Sequence, residues 1–136
     1  YEGTNGVQAL DLVGRKLLKY SHVLQDLISK MNGLSTDDGA VFKQLNKSVK
    51  RLCQANDWMM AEGMRDPESV LAVACDYLNL LGYVMCFYVW SLRVKSHGPH
   101  VLADVFVERY GPMVELCWLR IQAGKGHLYD DFKDGL

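Results

Sequence analysis

Apolar residues three and four positions apart recur through this chain, and they constrain its fold more than any other feature. The first run is Leu10, Val13, Leu17, Tyr20, Leu24, Leu27 and Met31. The second is Phe42, Leu45, Val49, Leu52, Asn56 and Met59. Alternating steps of three and four put each run on one face of a helix, and such a seam is buried against other helices. No period-two pattern competes for strands. A length of 136 residues suits one domain with a buried core. The chain reads as all-α.

Local punctuation sets the expected boundaries. The first helix is predicted from about Asn5 to about Met31, with Asn32-Gly33 as its stop. The second runs from about Asp38 to about Ala61 and ends at Gly63. Asp66-Pro67-Glu68 then opens a third, with Asp as cap, Pro in the first turn and Glu at the positive end. It should reach about Lys95. His97-Gly98-Pro99-His100 is a break with exposed turn histidines, and a fourth helix follows from about His100 to about Gln122. Pro112 removes a backbone bond inside that helix. The apolar pattern continues beyond it through Met113, Leu116, Cys117 and Ile121, so a kink at Gly111-Pro112 is expected rather than an end. Gly124-Lys125-Gly126 stops the chain's last helix. Four amphipathic helices with short links predict an up-down-up-down antiparallel four-helix bundle.

Asn56 interrupts the second seam. It either hydrogen-bonds across the bundle and fixes register, or the stripe rotates toward Cys53 and Met60. The stretch Leu80 to Trp90 is almost wholly apolar but too short to cross a bilayer, which predicts a core helix buried on several sides. Gly82 is expected to let a neighbouring helix approach. Tyr83, Phe87 and Trp90 read as core or as an inter-subunit face rather than as a cofactor pocket.

Charge and ligand types narrow the function. The net charge of -1 suggests no polyanion or anionic-lipid partner, so no nucleic acid is expected and membrane contact is not indicated. Lys43, Lys47, Lys50 and Arg51 form a basic side of the second helix, read as a solvated face in preference to a binding patch. Cys53, Cys75, Cys86 and Cys117 make no CxxC pair and lie in apolar helical contexts, so they read as buried, reduced thiols. No metal site is expected. A haem held by His22 and a Met is a weaker reading, because no second His lies at matching depth in a partner helix.

The opening residues, Tyr1-Glu2-Gly3-Thr4-Asn5-Gly6-Val7-Gln8, carry the chemistry. Thr4 is a good N-cap, so Glu2 should sit on a turn just ahead of the first helix and project away from it. A lone carboxylate there is either a working acid or base or a solvated terminal residue. The run YEGTNGVQALDLVGRKL resembles the C-terminal signature of acyl-CoA dehydrogenases. More loosely, Tyr77-Leu78 with Gly82, and Ile121-Gln122-Ala123-Gly124, resemble an additional helical C-terminal domain of one branch of that family.

The resemblance implies a catalytic base at Glu2, FAD contacts at Thr4, Asn5 and Gln8, and substrate contact at Gly3. It implies residues 1–31 as the last helix of a catalytic body and 32–136 as the additional domain, forming one compact bundle with 5–31. The chain begins inside a motif and with Tyr, so it is expected to be a piece of a longer enzyme, inactive alone. Acyl-CoA as substrate, electron-transfer flavoprotein as partner and a homo-oligomer are implied as well. The expected location is the bacterial cytoplasm, with a mitochondrial parent as the alternative. A stand-alone helical interaction or dimerisation module is the competing reading, with Tyr83 and Phe87 on its contact face.

Overall fold

Four helices hold nearly all the residues described by the computed structural model, which are 21–34 and 39–124. Helix α1 is described over Ser21–Leu34, α2 spans Ala40–Arg65, α3 Pro67–His97 and α4 Val101–Ala123. Among the described residues there is no strand. The all-α reading holds.

Several boundaries move. α1 passes through Asn32-Gly33, expected to stop it, and continues to Leu34, which is buried. α2 likewise passes through Gly63 and ends at Arg65. A glycine inside a helix costs only about 1 kcal/mol relative to Ala, which packing readily offsets. The break falls instead on Asp66 (φ −147°, ψ 87°), whose backbone the following Pro67 keeps out of the helical region. The Asp66 side chain makes no cap bond to the backbone of α3 but accepts from the Ser69 hydroxyl at 3.0 Å. α3 ends at His97, where Gly98 takes φ 87°. His100, expected as an exposed turn residue, is half-buried and caps α4, its Nδ1 accepting from the Leu102 N–H at 3.0 Å. α4 runs unbroken through Gly111-Pro112, and Gly124 (φ 60°) ends it as expected.

Helices α2, α3 and α4 pack on one another, and α1 packs on α2 and α3. The predicted seam of α2 is the buried one: Phe42, Leu45, Val49, Leu52 and Met59 all lie in the core. On α1, Leu24 and Leu27 are half-buried, while Ile28, Met31 and Leu34 are buried. The seam positions Leu10, Val13, Leu17 and Tyr20 lie outside the described residues. α3 contributes the largest fully buried side chains, Tyr77 and Phe87, with Leu80 and Val84 between them.

α3 departs from the sequence reading. By length and composition alone it could cross a bilayer, contrary to the expectation from its short apolar run. It is also not buried on several sides. Leu71, Cys75, Gly82, Cys86 and Val89 form an exposed stripe opposite its core face. Cys75 and Cys86 are therefore exposed free thiols, and Cys53 is half-buried. Cys117 alone among the four matches the expectation of a buried one.

Candidate functional site

Glu2, Gly3, Thr4, Asn5 and Gln8, the residues to which the sequence assigned catalysis, flavin contact and substrate contact, lie outside the described residues. Polar chemistry among the described residues concentrates at two places on α2.

The first is a groove of about 650 Å³ between α2 and α4, lined by Gln44, Lys47, Lys50, Arg51, Gln54, Gly111, Pro112 and Glu115. At Gly111, which is buried, the end of the Gln44 side chain occupies the space a Cβ would need: a Cβ there would lie 2.6 Å from Gln44 Oε1. Gln44 is itself held by its own turn. Its Nε2 donates to Ser48 Oγ at 3.0 Å, and the Ser48 hydroxyl donates to the Gln44 carbonyl at 2.8 Å. Arg51 bridges the helices, with Nε donating to Glu115 Oε1 at 2.9 Å and Nη2 lying 2.8 Å from Glu115 Oε2. Its Nη1 donates to Gln54 Oε1 at 2.9 Å. This forked pair is partly exposed and so adds about 1 kcal/mol at most to stability. Its effect is to orient the guanidinium. Lys47 and Lys50 are exposed.

Gly111 is thus the α4 glycine that lies against a side chain of another helix. Gly82 faces open space, with nothing within 4 Å of an added Cβ, contrary to its expected role. One signal in the sequence pointed to Gly111. It stands beside Pro112 in a helix otherwise rich in good helix formers, where a glycine is unfavourable unless space demands it.

The second place is the core polar pair of Asn56 and Tyr77. The Tyr77 hydroxyl donates to Asn56 Oδ1, so Asn56 bonds across the helix contact, the first of its two expected readings. Burial pushes the Tyr77 phenol well above its ordinary range, with the neighbouring Cys53 adding to the effect. Burial also raises the Cys53 thiol, and Asp57 raises it further. A thiol held protonated is a poor nucleophile. The trio is suited to holding register rather than to catalysis.

Aromatic side chains fill the α3–α4 contact. Phe87 and Phe106 meet edge to face with centroids 5.2 Å apart, Phe106 and Tyr110 lie 4.6 Å apart, and Tyr83 stacks on Tyr110 at 6.0 Å. Trp90 stands 5.8 Å from His100 and 6.5 Å from Phe106. Of the Tyr83, Phe87, Trp90 stripe, Phe87 is fully buried, while Tyr83 and Trp90 are half-buried and pack against the core. Exposed apolar residues are spread over all four helices, among them Val23 on α1, Met64 on α2, Leu71 and Val89 on α3, and Val101 and Leu119 on α4.

His22 is exposed. Among the described residues no three His, Cys, Asp or Glu side chains gather as a metal site would require.

Residues 21–100, more than half of the chain, match the family model described as acetyl-CoA dehydrogenase C-terminal like. No curated protein matches the chain.

Proposed function

This chain belongs to the acetyl-CoA dehydrogenase C-terminal-like family, and from that premise we propose that it is the C-terminal part of an FAD-dependent acyl-CoA dehydrogenase. The family match over residues 21–100 carries this reading, and the YEGTNGVQALDLVGRKL run stands directly before it. In this proposal residues 1–31 close the catalytic body and residues 32–136 form the additional helical domain. The links of α2 to α3 and of α3 to α4 are short, which favours antiparallel neighbours and an up-down-up-down bundle, with Pro112 kinking α4.

The reaction forms the α,β double bond of an acyl-CoA thioester. Its α-proton is weakly acidic, so a base must be held against that carbon and the developing enolate oxygen must receive hydrogen bonds. Glu2 takes the proton. Its basicity rises as the acyl chain displaces water, because desolvation disfavours the carboxylate. The Glu2 backbone N–H helps hold the thioester carbonyl, with Gly3 beside it. Bound FAD supplies the hydride acceptor, and Thr4, Asn5 and Gln8 are the residues that would face it. Electron-transfer flavoprotein as acceptor, a homo-oligomeric parent and a bacterial cytoplasmic location complete the proposal.

The test is Glu2→Gln in the full-length enzyme. Turnover of acyl-CoA should vanish while the flavin absorbance of the purified protein stays unchanged. A variant with normal turnover sinks the base assignment.

A further inference from the structure

Charge on α2 is one-sided in a way that a merely solvated helix face does not require. From Ala40 to Asn56 the helix carries Lys43, Lys47, Lys50 and Arg51 and no carboxylate. Exposed helices usually intersperse the two signs, because like charges three or four residues apart repel. Lys47 lies at those spacings from both Lys50 and Arg51, and all three line the α2–α4 groove. Glu115, the groove's one carboxylate, is engaged by Arg51. Three cations less one carboxylate leave a net charge of two positive, in a chain whose net charge is -1. Lys47 and Lys50 have no ion-pair partner among the described residues.

The groove also has the size and fittings of a small-ligand site. Its volume of about 650 Å³ lies within the usual range for such pockets. The Gln44 side chain covers the wall at Gly111, and the Gln54 side-chain amide keeps its N–H groups as donors while its oxygen accepts from Arg51. Two ammonium groups one helical turn apart suit a compact polyanion, since lysine binds phosphate as a point charge. We propose that this groove binds a multiply phosphorylated small molecule through Lys47 and Lys50, with Arg51 joining as Glu115 yields. Resting on the function proposed above, that ligand is the end of a coenzyme A thioester that carries its diphosphate and 3′-phosphate.

The test is amide-shift NMR on the ¹⁵N-labelled 136-residue chain, titrated separately with coenzyme A, sodium pyrophosphate and pantetheine. Coenzyme A should give saturable shifts at Lys47, Lys50, Arg51 and Gly111, weakening as salt rises. Pantetheine, which lacks phosphate, should give none. The double variant Lys47→Glu with Lys50→Glu should keep its helical circular dichroism and bind roughly tenfold more weakly or worse. Glu115→Gln, which removes the competing carboxylate, should bind more tightly. Opposite signs for the two variants separate a phosphate site from general loss of structure. Pyrophosphate binding as tightly as coenzyme A would uphold the phosphate site and overturn the coenzyme A assignment. Shifts with pantetheine alone, or no groove shift with any phosphate compound, overturn the proposal. The pyrophosphate arm is independent of Glu2, so a failure of the catalytic reading and a failure of this site remain distinguishable.

Discussion

Tyr77 on α3 donates its hydroxyl to Asn56 Oδ1 on α2, inside a core where Asn56 Nδ2 is shielded from water and has no partner among the described residues. The pair ties two helices at one register. It also leaves the core with a donor already unsatisfied, so the bond that remains is costly to lose.

Tyr77→Phe would strip Asn56 Oδ1 of its donor. Leaving one more buried polar atom unpaired costs about 1–3 kcal/mol. Replacing both partners, Tyr77→Phe with Asn56→Leu, removes the unpaired groups altogether and should recover most of that loss. Urea unfolding of the two variants measures the difference. A double variant no better than the single would mean the bond does not set the cost.

Gly82 lies mid-helix on the exposed stripe of α3 and faces open space. Gly82→Ala should therefore raise stability of the isolated chain by about 0.5–1 kcal/mol through helix propensity alone. A loss of stability in the same thermal melt would show that something in the chain packs there.

Gly111 is the opposite case. The Cβ of Gly111→Ala would meet only the end of the flexible Gln44 side chain, so the variant should change stability by less than about 1 kcal/mol, the helix gain offsetting the lost Gln44–Ser48 bond. Gly111→Leu must displace the whole Gln44 side chain from this wall and should cost about 1–3 kcal/mol. Equal melting temperatures for the two would show that the Gln44 side chain gives way at no cost.

Asp76 carries a pH signature. Burial holds its carboxyl above the ordinary value of 3.8, and Arg120, 3.8 Å away, opposes this only in part. The folded chain thus binds this proton more tightly than the unfolded chain does. The stability from Asp76 is fully present below about pH 3.8 and is lost as pH rises through the folded value. Asp76→Asn abolishes that dependence. Its stability relative to the native chain should increase from pH 3.8 toward neutrality, as followed by denaturation midpoints. A flat difference across that range would contradict the raised value.

The helices were legible because a buried seam needs apolar residues at steps of three and four, and only a helix puts such residues on one face. Phe42 through Met59 illustrate this: every apolar member of the predicted seam is buried. Asn56 was legible as a question, and the structure answered it with Tyr77. Of the proposed catalytic residues, nothing among the described residues adds to what the opening motif implies.

What the sequence by itself determined is the helical class, the inner face of α2, the starting turn of α3 and the glycine that ends α4. Each is a local matter of periodicity, proline and φ. Tertiary structure alone decided which glycine lies against another helix's side chain, which cysteines are exposed, and that Lys47, Lys50 and Arg51 border a groove shared with α4. Those outcomes depend on where a second helix lies, and spacing along one helix fixes which residues share a face without fixing what that face meets.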